Sequence, residues 1–153
     1  MTTHTSTVAW RRGEGEAFSD NRYSRGHQWS FDGGVSVRAS SSPHVVPRFS
    51  DPAGVDPEEA FVASLSSCHM LTFLYHAAKG GFVVDAYEDA AEGVMGKLDG
   101  GRMWVERVTL RPRIAWAGRA PTAEEEATLH HKAHEECFIA NSVRTEVIVE
   151  PMR

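Results

Sequence analysis

Cysteine is scarce in this chain of 153 residues: Cys68 and Cys137 are the only two, 69 positions apart. In a presumed reducing compartment, a pair so far apart is a poor candidate for a structural disulfide and a better one for two free thiols or a redox pair. Metal-binding pairs are lacking too, since there is no Cys-x-x-Cys and no His-Glu-x-x-His. Positive charge is in deficit, with 16 Lys and Arg against 21 Asp and Glu and a net charge of −5. The basic residues are scattered, which gives no reason to expect a nucleic acid or an anionic membrane as partner. No apolar run is free enough of polar groups to span a bilayer. Met1-Thr2-Thr3-His4-Thr5-Ser6-Thr7 has neither the basic nor the apolar region of a signal peptide, so the expected setting is the cytoplasm. Repeats and low-complexity linkers are also missing. With 41% hydrophobic and 24% charged residues, the expectation is one domain over residues 1–153 with a real core and a loosely ordered segment over 1–20.

The stretch from Val55 to Gly81 is the longest apolar feature, and it predicts a helix with both ends marked. Asp56 suits the N-cap, Pro57 the first helical position, and Glu59 the return half of a capping box, while Glu58 and Glu59 face the positive end of the dipole. Lys79 suits the negative end and Gly80 a left-handed closing residue. Large apolar residues at 61, 62, 65, 70, 71, 73, 74 and 75 leave no wide polar stripe, so the helix is expected to be buried all round. Ala60, Ala63, Ser64, Ser66 and Ser67 form a patch of small side chains. Either a second copy of the chain or a sheet of the same chain could approach it closely.

Elsewhere the chain predicts strands at Val8 to Trp10, Tyr23 to Phe31 and Val35 to Ala39, with a turn at Asp32-Gly33-Gly34. Residues 40–54 contain three prolines and no period, which reads as a long loop of the kind that carries function. Phe82 to Val94 and Met103 to Trp116 read as two further strands, with Pro112 marking an edge or bulge. Thr122 and Glu125 predict a capping box for a second helix, on which Leu129, Ala133 and Cys137 share the inward face. Val143 to Val149 predicts a last strand. The fold class is therefore α+β with mostly antiparallel strands around a long central helix.

This order of elements, with Asp56-Pro57-Glu58-Glu59, Cys68 ten residues after Glu58, and Cys137 near a final strand, resembles the family of osmotically inducible protein C and the organic hydroperoxide resistance proteins (OsmC/Ohr) over roughly residues 20–150. The resemblance is to the OsmC-like branch. It implies an intertwined homodimer, a stress-response oxidoreductase without cofactor or metal, and thiol-dependent reduction of organic hydroperoxides. It also implies an active site of two cysteines, a glutamate and an arginine: Cys68, Cys137, Glu58 and either Arg48, which precedes Glu58 by ten residues, or Arg25 on the N-terminal strands. An external dithiol, with lipoyl-type groups among the candidates, would reduce the product disulfide. Two departures stand out: Cys137 is followed by Phe138-Ile139-Ala140-Asn141 instead of Cys-Pro, and Cys68 is followed by His69.

The chemistry explains why such residues belong together. Only a thiolate attacks a peroxide well, and an ordinary thiol is mostly protonated at neutral pH, so a neighbouring cation must favour the charged form. Arginine stays charged when buried, and a carboxylate can hold its fork of donors. Each residue also has a plainer reading, as an inert buried thiol, a helix-end charge or a solvated cation. Two other functions compete: a zinc site of His130, His131, His134 and Cys137 with Cys68 or His69 opposite, and a non-catalytic dimer that binds an apolar molecule beside Trp29, Phe31, Phe73 and Tyr75. Glu58 and Cys68 stand about 15 Å apart along one continuous helix, so they can meet only across two chains.

Overall fold

The computed structural model describes residues 2–152, and the chain divides into two compact units, one up to residue 60 and one from residue 61. In chain order the elements are β1 (Ser6–Ala9), β2 (His27–Phe31), β3 (Ser36–Ala39), α1 (Pro57–Lys79), β4 (Val83–Asp89), β5 (Glu92–Lys97), β6 (Met103–Leu110), β7 (Pro112–Ala117), α2 (Ala123–Glu136), a 3-10 turn (Ala140–Ser142) and β8 (Glu146–Val149). The class is the α+β arrangement expected.

In the first unit β1, β2 and β3 form an antiparallel meander with Trp29 opposite both Val8 and Val37. Within the N-terminal stretch Phe18 and Tyr23 stack with centroids 4.6 Å apart, and Trp10 packs edge-on to Tyr23 and tilted to Phe18. The loop from Ser40 to Gly54 is tied down at several points. The Ser40 hydroxyl accepts from the Asp51 amide at 2.9 Å, the Ser41 and Ser50 hydroxyls bond at 2.7 Å, and Asp51 pairs with Arg38. Gly54 lies so close to this chain that a β-carbon there would stand 2.9 Å from the Ala39 carbonyl carbon. Asp56 and Glu59 close the capping box as expected, with the Glu59 amide donating to Asp56 at 2.7 Å and the Asp56 amide to Glu59 at 3.0 Å.

In the second unit β4 pairs with β7, and β5, β6 and β8 form a separate sheet in which β8 runs parallel to β6. Two expected strands are each divided. Phe82 to Val94 becomes β4 and β5, and Met103 to Trp116 becomes β6 and β7, because both cross between the two sheets at the same level. Asp89 marks the crossing: its carboxylate accepts from the Arg111 amide at 2.6 Å and from the Ser66 hydroxyl. Gly81, at φ +76°, is the left-handed residue after α1, one place beyond the Gly80 expected.

The buried stripe of α1 is Leu65, His69, Phe73 and Ala77, four apart throughout. Leu65 joins Val108 and Leu110 in an aliphatic cluster, while Phe73 and Ala77 join Leu129 and Ala133 in a cluster edged by Phe82, Tyr87 and Trp116. Each large side chain so buried contributes about 1.5–3 kcal/mol. The helix meets β5 so closely at Gly93 that a β-carbon there would lie 2.6 Å from Val62. Burial of α1 all round is not met within the single chain. Ala63, Ser67, Leu71 and Tyr75 form an exposed stripe, with Leu71 61% and Tyr75 53% exposed.

Candidate functional site

The two cysteines come together. Cys68 lies half-buried on α1 and Cys137 buried just past the end of α2, close enough for the two thiols to act on one another. Local sequence puts Cys137 there. The Thr122 capping box starts α2, Leu129 and Ala133 hold its inward face in the core, and Cys137 is the C-cap with extended backbone. Its sulfur also accepts from the Ala140 amide at 3.4 Å. Burial, and then the neighbouring Cys68 side chain, push the Cys137 thiol up to about 11. Near neutral pH Cys137 is therefore held as the thiol.

The charged residues are placed differently. Glu58 lies half-buried in the first turn of α1, and neither capping bond uses it. Arg48 is exposed on the 40–54 loop and has no hydrogen-bond or ion-pair partner among the described residues. Arg25 is engaged: its guanidinium lies 3.6 Å from the Tyr23 ring centroid and donates to the Tyr23 and Asn21 carbonyls.

Next to Cys68 in the chain begins a pair that the sequence reading named only as possible zinc ligands. His69 and His130, 61 residues apart, are both buried and share a 3.0 Å hydrogen bond. The His130 ring also stacks on Phe73 with centroids 4.3 Å apart. Burial, reinforced by His134, pushes His69 down to about 4, with Asp89 opposing; burial and then His69 push His130 down to about 4. A signal was present in the sequence, because position 69 falls in register with Leu65 and Phe73 and so had to be a buried histidine in need of a partner. The four ligands of the zinc reading do not converge. His131 turns outward to Glu135 at 3.4 Å, His130 is taken by His69, and no group of three His, Cys, Asp or Glu among the described residues is arranged to hold an ion.

An open groove of about 460 Å³ runs beside Cys137, lined by Leu71, Thr72, Tyr75, Glu136, Phe138 and Asn141. No described helix is long and apolar enough to cross a membrane.

Comparison with known proteins bears on this arrangement. Residues 50–151 match the family model described as OsmC-like protein. Among solved structures, an OsmC-like protein of unknown function from Vibrio cholerae is 53% identical, with a TM-score of 0.96 over 99% of this chain and 100% of that one. The organic hydroperoxide resistance protein OhrB of Bacillus subtilis is 19% identical, with a TM-score of 0.70 over 99% and 98% of the two chains. An OsmC-like protein from Mycoplasma pneumoniae is 12% identical, with a TM-score of 0.74 over 99% and 96%. No curated protein matches the chain. A model match over two thirds of the chain, and a neighbour sharing half its residues along its whole length, carry one conclusion: this chain belongs to the OsmC-like family.

Proposed function

We propose that the protein is a thiol-dependent peroxidase that reduces organic hydroperoxides, with Cys68 as the attacking sulfur and Cys137 as the resolving one. The observation that carries this reading is that Cys68 and Cys137, 69 positions apart in the chain, are brought close enough to act on one another. The names of the organic hydroperoxide resistance proteins that share the fold support it. In the proposed cycle Cys68 becomes a sulfenic acid, Cys137 condenses with it to a disulfide as water leaves, and an external dithiol, of lipoyl type or similar, restores both thiols. Apolar side chains at the groove, Leu71 and Phe138 among them, favour alkyl or lipid hydroperoxides over hydrogen peroxide.

Arg48 is the proposed cation and Glu58 its orienting carboxylate. The support is that the Arg48 guanidinium is unengaged while the Arg25 guanidinium is spent on Tyr23 and Asn21. The proposed assembly is a cytoplasmic homodimer in which α1 packs antiparallel on its copy, so that Glu58 of one chain lies level with Cys68 of the other. The exposed stripe of Ala63, Ser67, Leu71 and Tyr75 favours this. A monomer at micromolar concentration by sedimentation would sink the assembly.

The reaction is tested by mass spectrometry after one equivalent of cumene hydroperoxide. The expected product is a Cys68–Cys137 disulfide. Cys68→Ser should abolish turnover, Cys137→Ser should stop after one stoichiometric reaction, and Arg48→Lys should slow attack because the fork of donors is lost. The reading fails if no disulfide forms and Cys68→Ser consumes peroxide as fast as wild type.

A further inference from the structure

The cycle above leaves the buried histidines without a part. Their rings lie parallel within 8°, centroids 5.3 Å apart, joined by one N···N hydrogen bond of 3.0 Å between His69 Nε2 and His130 Nδ1. A neutral imidazole carries a single N–H, so one of the facing nitrogens holds the proton and the other accepts it. Passing that proton from His69 to His130 switches both tautomers together. His69 must then gain a proton at Nδ1, and His130 must release one at Nε2. Those outer nitrogens are buried and have no hydrogen-bond partner among the described residues.

Each outer nitrogen has a continuation. His130 Nε2 lies 4.0 Å from Glu126 Oε1, a part-exposed carboxylate one turn earlier on α2. On the other side His134, whose Nδ1 is likewise buried without a partner, is near enough to act on His69 electrostatically and stands one turn before Cys137. Glu126, His130, His134 and Cys137 thus follow one another down one side of α2, and His69 bridges from α1. From β4 Asp89, already bound by Ser66 and the Arg111 amide, acts on His69, and Tyr87, whose hydroxyl burial and Asp89 keep protonated, packs on Phe73 beside the pair.

Resting on the peroxidase reading, we propose that His69 and His130, continued by His134, form a proton relay that serves the Cys68–Cys137 centre and exchanges with solvent at Glu126. The step needing it is the first. The Cys68 thiolate forms an S–O bond to the terminal oxygen of the hydroperoxide, the O–O bond breaks, and its electron pair leaves on the alkoxide. Sulfur is oxidised, peroxide is reduced, and the alkoxide must take up one proton to leave as the alcohol. That proton balances the one Cys68 lost on ionising, and the relay carries both out and back. Because burial keeps both rings uncharged near neutral pH, the pair stores no proton and passes one only as another leaves.

His130→Phe tests this, since phenylalanine keeps the ring volume and the stacking on Phe73 while removing both nitrogens. The expected variant folds, and iodoacetamide alkylates its Cys68 at the wild-type rate. Its cumene hydroperoxide reaction is at least ~10-fold slower, and its solvent deuterium isotope effect exceeds that of wild type because proton delivery has become limiting. A rate and an isotope effect equal to wild type overturn the relay while leaving the peroxidase standing. A wild-type protein that consumes no peroxide overturns the peroxidase reading and the relay with it. Should the variant not fold, ¹⁵N NMR of the wild-type imidazoles decides: one proton shared between the two rings, both neutral at pH 5, supports the relay, and two rings titrating independently near their ordinary value overturn it.

Discussion

The two halves of α1 rest on different kinds of core. The first half sets Phe61, Val62 and Leu65 against Val108, Leu110 and other aliphatic residues, and no group in that cluster titrates. The second half sets Phe73 and Ala77 against Leu129, Ala133 and a ring of aromatics, and the His69–His130 pair lies on this side. Cys68 and His69 stand at the seam, between Leu65 of one half and Phe73 of the other. An aliphatic core holds the helix in place without responding to pH. An aromatic core tolerates imidazoles, because their flat faces stack while one hydrogen bond satisfies the facing nitrogens.

The comparison can be broken outright by Phe73→Ala, which removes the side chain touching Tyr87, Trp116 and His130. The expected loss is about 3–5 kcal/mol in urea unfolding, and Leu110→Ala on the aliphatic side should cost about 2–5 kcal/mol with no change in pH dependence. Acid should sharpen it next. Unfolded imidazoles titrate near 6.5 and these buried rings near 4, so between those values the unfolded chain binds more protons. Stability is then full above about pH 6.5 and falls as pH drops towards 4, by about 2–3 kcal/mol for the first ring. Hydrogen exchange at pH 7 and pH 4.5 should show α2 losing protection before β6; equal loss in both would contradict the division. The smallest effect is expected from Thr122→Ala, which removes the exposed capping box of α2 and should lower stability by about 1 kcal/mol, read as a small fall in thermal midpoint.

What the sequence made legible is what neighbours in the chain decide. Both capping boxes, the α1 boundaries, the hairpin at Asp32-Gly33-Gly34 and the inward placing of Cys137 follow from residues a few positions apart. Of the two strand breaks, the one at Arg111 carried a signal in Pro112, read as an edge or bulge within one strand, while the one at Asp89 was not legible, because composition on both sides of it is equally strand-like. A side-chain bond spanning 22 residues marks the crossing. The His69–His130 bond spans 61 residues and was hidden for the same reason, although the four-residue spacing of Leu65, His69 and Phe73 already placed the imidazole inside. Cys68 and Cys137 were singled out from their sequence context and family resemblance, and the structure brings them close together. Of the two arginines, the sequence favours Arg48 by its ten-residue spacing before Glu58, and the engagement of the Arg25 guanidinium with Tyr23 could not be read from it.

Cys137 occupies the cap of α2 and not its interior: it is the first residue after Glu136, with ψ at 110°. Mechanically, this sulfur hangs on compliant backbone anchored at one end by a rigid rod. Drawing it towards Cys68 stretches the short connector through Phe138 and Ile139, where the Ala140 amide is its main tether, and leaves the helical ladder behind it unstrained. A thiol one turn earlier would have to drag the helix with it.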